Sequence, residues 1–448
     1  MNRTWWCAHA WLPKGPAAGV RISSGTDGTI TAVETDTQAQ PGDTQLDLLV
    51  LPGFANTHSH AFHRALRGRT HTDGGTFWTW RDRMYALADR LTPDTYCELA
   101  TAVFSEMVLS GVTCVGEFHY LHHGPGGARY GEPNAMGEAL REAAARAGLR
   151  MTLLDTCYLR GGIDVPLEGV QRRFDDGDAE SWAMRVSELA DGDSFRVAAA
   201  VHSVRAVPVD ELSVIVEADV GEDGSPRPLH VHLSEQPAEN ASCLAVYGRT
   251  PTQLLADHGV LGSATTAVHA THLTAEDIVL MGASQTTACI CPSTEQDLAD
   301  GIGPARELAD AGAPIALGTD QHVMIDMIAE SRMLEMHERL ASGRRGRFSV
   351  EELVTSLTSA GHAALGWPEA GRIEVGSLCD LVGVRLDSLR TSGALPGQIP
   401  MVASASDVDT VVVGGRTVVE DGRHLPLRAS GGVPRALTRA ISRAWGEA

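Results

Sequence analysis

LLVLPGFANTHSH, Leu48 to His60, is the stretch on which the fold turns. Its opening, LLVLPGFAN (Leu48 to Asn56), is nearly all apolar, as a strand buried on both faces is, and two histidines separated by one residue follow. A doubly wound α/β sheet would normally place a glycine-rich phosphate turn after its first strand. This chain has GFANTHSH there instead. On extended backbone His58 and His60 point to the same face, because side chains alternate along a strand. Both imidazoles can then approach one divalent ion, at about 2.0–2.1 Å each. His63 follows after Ala61 and Phe62, and that shared face does not require it.

From this strand onward, short β-branched runs alternate with helical patterns. VTCVGEFH, MTLLDTCY, FRVAAAVHS, LHVHLSE, TTAVHATHL, TACICPS and PIALGTDQH read as seven further strands. Between them YCELATAVFSEMVLS (Tyr96 to Ser110) carries apolar residues at helical spacing and stops at Gly111. AMGEALREAAARAG, SWAMRVSELA, TAEDIVLMGA and GPARELADAG read as helices by the same pattern. Eight strands with helices between them predict an α/β fold, a (β/α)8 TIM-like barrel, over residues 51–368.

The two ends read differently. Residues 16–50 and the segment Ile373 to Arg423 show short alternating runs with turn signals. They predict a small β-sandwich domain assembled from an N-terminal part, 1–50, and a C-terminal part, 369–448. The last residues, VPRALTRAISRAWGEA, read as a basic amphipathic helix at the surface or in a dimer interface.

A net charge of −21 argues against a broad nucleic-acid or anionic-membrane surface, since the summed field repels phosphates. It still allows a small anion held by a local group of arginines. No run approaches 18 apolar residues, and MNRTWWCAHAWLPKGP lacks the apolar core of a signal peptide, so a soluble cytoplasmic protein is expected. The eight cysteines are scattered without a C-x-x-C pair, which points away from a disulfide framework and from a thiolate zinc site.

In a (β/α)8 barrel the working residues come from the C-terminal ends of the strands. Those ends carry His58 and His60 on the first strand and His202 on the fourth. The fifth carries His230, His232 and Glu235, the sixth His269 and His272, and the eighth Asp320 and His322. His232 is nearer its strand end than His230 and stands three residues before Glu235, so it is taken as the third metal ligand. His230 is read as a packed barrel histidine, and Asp320 as the closing carboxylate ligand.

LPGFANTHSH, HVHLSE, AVHATHL and ALGTD resemble, in order and across nearly the whole chain, the strand-end motifs of the amidohydrolase superfamily. No lysine stands at the fourth strand end, which resembles the one-metal branch, and H-x-x-E on the fifth strand resembles its deaminase-like members. The resemblance implies one divalent metal, zinc or alternatively Fe2+, and hydrolytic replacement of an amino or imino group. Such an ion lowers the pKa of bound water from ~15.7 to about 7. Glu235 would then shuttle the proton as general acid/base. His269 would hydrogen-bond the water or the intermediate, and Asp320 would bind metal, take the water's proton, or do both.

More specifically, TFWTWRDRMY (Thr76 to Tyr85), VGEFHYLHH (Val115 to His123) and VHSVRAV (Val201 to Val207) resemble the formimidoylglutamate deiminases of histidine degradation. Their products are N-formylglutamate and ammonia. The resemblance implies that Arg81, Tyr120, His202 and Arg205 bind the glutamate part of a dicarboxylate substrate, with Arg83 as an alternative to Arg81. His63 is also taken as a substrate-binding residue; it stands where that family's pattern carries glutamine, which leaves the details of its contact open. Hydrogen bonds to charged groups contribute about 1.5–3 kcal/mol each, so two arginines can separate an acidic amidine from a neutral ring. His119, His122 and His123 are read as loop or supporting residues rather than a second metal site. A homodimer is expected. The competing readings are an aminohydrolase of a purine, pyrimidine or triazine ring using the same metal site, and a non-catalytic scaffold. A scaffold would be expected to have lost ligands that this chain retains.

Overall fold

The computed structural model describes residues 3–70, 77–219, 221 and 224–447. The chain starts with β1 (Arg3–Leu12), β2 (Gly15–Ser24), β3 (Ile30–Glu34) and β4 (Thr44–Pro52). The barrel follows, with β5 (Phe54–Ser59), β6 (Val112–His119), β7 (Arg150–Cys157) and β8 (Phe195–Val201). Its second half is β9 (Leu229–Leu233), β10 (Thr265–His269), β11 (Thr287–Ile290) and β12 (Ile315–Leu317). The strands β13 (Leu381–Val384), β14 (Val408–Val413), β15 (Arg416–Glu420) and β16 (Arg423–His424) come last.

Strands β5 to β12 pair in chain order and every pairing is parallel, as the alternation of strands and helices predicts. The sheet closes just beyond β12. Asp320 N–H donates to His58 O at 3.0 Å and His60 N–H to Asp320 O at 3.2 Å, a parallel bridge that joins the last strand to the first. Closure therefore runs through residues of the histidine motif itself.

The run Leu48 to Asn56 is not one strand. Gly53 divides it: β4 belongs to the terminal sheet, where Leu51 pairs with Val382, and β5 opens the barrel. Both pieces are apolar because both are covered on two faces, so hydrophobicity alone could not show the break. A Cβ at Gly53 would lie 2.2 Å from Thr113 Oγ1 and 2.8 Å from Asp380 Cβ, so only glycine fits where the chain passes between sheets.

The terminal strands from both ends of the chain assemble, as expected, into one small β-unit, a mixed sheet ordered β16-β15-β14-β13-β4-β1-β2-β3. Strand β1, which the sequence reading passed over, pairs antiparallel with β2 and parallel with β4. Its inward residues Trp5, Cys7 and Ala10 pack with Val20, Ile22 and Val412. The C-terminal helix Val433–Trp445 turns Leu437, Ala440 and Ala444 onto the core of its own chain. Trp445 Nε1 donates to Ala65 O at 3.0 Å and Arg443 pairs with Glu98 at 2.6 Å, which pins the helix beside the barrel. Among the described residues no helix is long and apolar enough to cross a membrane.

One connection covers the mouth of the barrel. The helix Phe77–Ala88 is fastened by the fully buried Arg173, which donates to Ala88 O, to Leu91 O at 2.7 Å and to His123 O at 2.8 Å. The guanidinium thereby ties the last carbonyl of the helix to the turn that follows it and to the segment after β6. Of the aromatic motif Thr76 to Tyr85, Thr76 and the side chains of Phe77 and Trp78 lie outside the described residues.

Candidate active site

The residues expected to bind metal or substrate converge at the C-terminal end of the barrel. Except for His58, every one of them lines a single cavity: His60, His63, Arg81, Tyr120, His202, Arg205, His232, Glu235, His269 and Asp320. His58 lies directly behind it, with Nε2 at 3.4 Å from Asp320 Oδ1 and 3.1 Å from His232 Nε2. His60 Nε2 is also 3.4 Å from Asp320 Oδ1. Barrel closure brings β5, β9 and the end of β12 together, although His232 is 174 residues from His58 in the chain.

The local hydrogen bonds decide what these imidazoles present. His60 Nδ1–H donates to Phe118 O at 2.9 Å, and His232 Nδ1–H to His202 O at 3.0 Å. Each ring therefore keeps an unprotonated Nε2 facing its neighbours, the tautomer a metal-binding histidine needs. Burial holds all three rings neutral: it pulls His58 down to about 3 and lowers His60 and His232 as well. Burial pushes the Asp320 carboxyl up, but hydrogen bonding from His58 and the positive charge on His269 outweigh it and keep the group ionised. The ligand atoms of His58, His60 and His232 lie within reach of one another, and Asp320 joins the same histidines in two overlapping groups, with His58 and His269 and with His60 and His63, a buried constellation that fits a divalent cation.

Glu235 is 7% exposed, with Oε1 3.7 Å from His269 Nε2. Burial raises its carboxyl and the neighbouring His269 opposes that rise. Burial disfavours charge on His269, yet Glu235, Glu295 and Asp320 together lift the imidazole to about 10. His269 Nδ1 stands 3.7 Å from Glu295 Oε1, an ion-pair separation rather than a hydrogen bond. The backbone that carries these groups is strained: Ser234, His269, Ala270, Asp320 and His322 all have positive φ. Non-glycine residues there cost on the order of 1–3 kcal/mol each and cluster where function requires them.

Two arginines line the cavity. Arg205 donates from Nε to Glu239 Oε2 at 2.9 Å, and Glu239 is 2% exposed and also accepts Ser234 N–H. Arg81 enters from the covering helix, its guanidinium carbon 5.5 Å from the Tyr85 ring centre. Arg83, on the same helix, is exposed and does not line the cavity. His63 Nε2 and Tyr120 Oη are hydrogen-bonded at 3.1 Å.

Two groups of histidines lie elsewhere. His230 donates from Nε2 to Ala364 O at 3.1 Å and does not line the cavity. His119 and His122 come within ligand distance of Asp155, but that carboxylate already accepts two bonds from Arg185, at 2.8 and 3.0 Å, and one from Trp182. His123 pairs with Asp176 at 3.0 Å.

Sequence reasoning passed over Glu117. This fully buried carboxylate on β6 accepts Ser59 Oγ–H and Ala61 N–H, both at 2.6 Å, and so brackets His60 from either side. Ser59 Oγ in turn meets His322 Nε2 at 3.1 Å. Burial raises the Glu117 carboxyl to about 8 despite those donors. A charged residue inside the otherwise apolar VGEFH strand was the available signal, since unpaired carboxylates are almost never fully buried.

Comparison with known proteins follows the same lines. The amidohydrolase family model matches residues 49–418. The chain is 35% identical over 447 residues to formimidoylglutamate deiminase of Pseudomonas aeruginosa, covering 93% of this chain and 94% of that one. It is 33% identical over 393 residues to 8-oxoguanine deaminase of the same organism, covering 86% of each. A crystal structure of an amidohydrolase from Brucella melitensis superposes with a TM-score of 0.89 at 31% identity and 99% coverage of both chains. Atrazine chlorohydrolase from Arthrobacter aurescens, complexed with zinc, shares the fold with a TM-score of 0.85 at 21% identity, covering 98% of this chain and 99% of that one. With its barrel, its buried histidine–aspartate cluster and these matches, the chain belongs to the amidohydrolase family.

Proposed function

We propose that the protein is a zinc-dependent deiminase that hydrolyses N-formimidoyl-L-glutamate to N-formyl-L-glutamate and ammonia, a reaction of histidine degradation. One observation carries the reading: Arg81 and Arg205 line the same cavity as His60, His232, Asp320 and Glu235. A dicarboxylate offers each guanidinium a charge-assisted contact that a neutral aminated ring does not. The relative that acts on formimidoylglutamate supports the same assignment.

His58, His60, His232 and Asp320 would hold the ion, a nitrogen-rich four-ligand set that suits zinc. Bound there, zinc would supply Lewis-acid activation of water. The remaining work falls to the chain. As the water oxygen bonds to the formimidoyl carbon, Glu235 Oε takes one of its protons to the imino nitrogen; it then relays the second from the new hydroxyl, so that the C–N bond breaks, ammonia leaves and the carbonyl forms. His269, between Glu235 and Asp320, stabilises the oxygen that develops negative charge. Arg205, braced by Glu239, and Arg81 hold the two carboxylates, and Tyr120, His63 and His202 fill the wall between them and the histidine cluster. The covering helix excludes bulk water and so strengthens each of these contacts.

An ammonia-release assay on zinc-loaded protein tests the assignment, with N-formimidoyl-L-glutamate set against 8-oxoguanine, guanine, adenosine and cytosine. Faster turnover of a ring substrate would transfer the assignment to the ring deaminases, one of which is a 33% identical relative. Arg205→Met should raise KM for the dicarboxylate by about 10–100-fold with little change in kcat, as expected on losing a charge-assisted contact. Unaltered constants would make Arg205 structural. Glu117→Leu leaves Ser59 and Ala61 without their acceptor and should weaken zinc binding by about 10–100-fold in chelator competition. Undiminished zinc affinity would confine Glu117 to packing.

A further inference from the structure

Two phenols lie on the cavity wall with no task in the reading above. Tyr85, on the covering helix, and Tyr158, one residue past β7, both line the cavity. Their hydroxyls converge on one buried amide: Gln171 Nε2 donates to Tyr85 Oη at 3.1 Å and to Tyr158 Oη at 3.2 Å. Gln171 is 7% exposed and belongs to the short 3-10 turn Gly169–Arg173. Its orientation is determined, because Oε1 accepts the Glu168 backbone N–H at 3.0 Å and the amide NH2 must then face the phenols. Arg173 anchors the same turn to the covering helix, and the Phe174 ring lies 5.2 Å from that of Tyr158.

A donor on a phenol oxygen uses a lone pair and leaves the phenol's own proton to be placed. Both phenols line the cavity, so a hydroxyl proton has the cavity to face. Burial above all pushes the Tyr158 hydroxyl up from its ordinary value, so it stays a donor at neutral pH. Arg81 stacks by the Tyr85 ring, while Tyr158 packs 4.3 Å from His202 and within the field of Arg205. The phenol pair thus occupies the wall between the two guanidinium groups.

We propose that Tyr85 and Tyr158 are further substrate-binding residues, and that Gln171 is a positioning residue which aims a hydroxyl proton of the pair at a carboxylate of the substrate. This rests on the dicarboxylate reading and extends it. The phenols add a neutral donor of fixed direction to two arginines that supply charge, so the site reads the geometry of the acidic tail as well as its charge.

The test compares wild type, Tyr158→Phe, Tyr85→Phe, Gln171→Leu, and Gln171→Leu in a Tyr85→Phe/Tyr158→Phe background. Ammonia release from N-formimidoyl-L-glutamate gives kcat and KM, and calorimetry with N-formyl-L-glutamate gives a Kd independent of turnover. Tyr158→Phe keeps the ring and should raise KM and Kd by about tenfold while leaving kcat nearly unchanged. Gln171→Leu should act in the same sense on its own and add nothing once both hydroxyls are gone. The proposal is overturned if Tyr158→Phe and Tyr85→Phe leave KM and Kd unmoved, or if Gln171→Leu costs as much in the double-phenylalanine background as in wild type. Should Gln171→Leu fail to fold, the two phenylalanine variants decide alone. A wild type that neither turns over nor binds these compounds overturns the substrate assignment and this extension together. An active wild type with indifferent tyrosine variants overturns only the extension.

Discussion

Glu235→Gln is expected to retain the metal and fold of the wild type and to lose about 10²–10⁴ in kcat, the usual worth of a positioned general acid/base. Gln is nearly isosteric, so the packing around this 7% exposed side chain should survive. What vanishes is the site that takes up a proton at one moment and releases it at another. Because the reaction must both deprotonate water and protonate a departing nitrogen, no single neighbour replaces it. His269, 3.7 Å away, is itself held protonated by the surrounding carboxylates and is poorly suited to accept a proton. The loss should therefore appear in kcat and kcat/KM together, with KM little changed. Metal content by atomic spectroscopy and ammonia release by coupled assay check both halves. An unchanged kcat would remove Glu235 from the chemistry, and a loss of metal would recast it as a ligand.

Stripping the metal with a chelator should abolish turnover and lower the thermal midpoint, and adding zinc back should restore both. The stabilising effect follows from mass action: a ligand held a thousandfold above its Kd adds about 4.1 kcal/mol to the folded state. Here the effect has a structural source. His58, His60 and His232 are almost fully buried, with Nε2 of His58 and of His60 each 3.4 Å from Asp320 Oδ1 and Nε2 of His232 3.1 Å from that of His58. Without a cation these acceptors face one another and the carboxylate, an arrangement the strained backbone at Asp320 does nothing to relieve. Asp320→Asn should reproduce most of the chelator's effect on both readouts. Full activity in metal-depleted protein, verified by spectroscopy, would refute a metal-dependent mechanism.

The strand–helix alternation was legible because each barrel strand is short, apolar and separated from the next by an amphipathic helix. The H-x-H, H-x-x-E and G-T-D motifs were legible for a related reason. Each is local: the period of two along a strand puts the H-x-H pair on one face, and the other two motifs stand at or just past a strand end, where a barrel carries its working residues. The terminal β-segments were legible as strands, but not as one mixed sheet, since sheet order is a property of partners rather than of any one segment. The choice between Arg81 and Arg83 was equally out of reach, because both lie on one helix and only its packing over the barrel mouth turns Arg81 inward.

What the sequence by itself determined is therefore the barrel, the identity of the residues at its strand ends and the kind of chemistry those residues allow. Only the tertiary structure decided where the first apolar run breaks, at Gly53, and which buried polar groups support the site. Glu117 reaches Ser59 across 58 positions, Ser59 reaches His322 across 263, and Gln171 reaches Tyr85 across 86. The physical reason is common to all of them. A buried polar atom must find its partner wherever the fold brings one within about 3 Å, and that distance has no counterpart in chain separation.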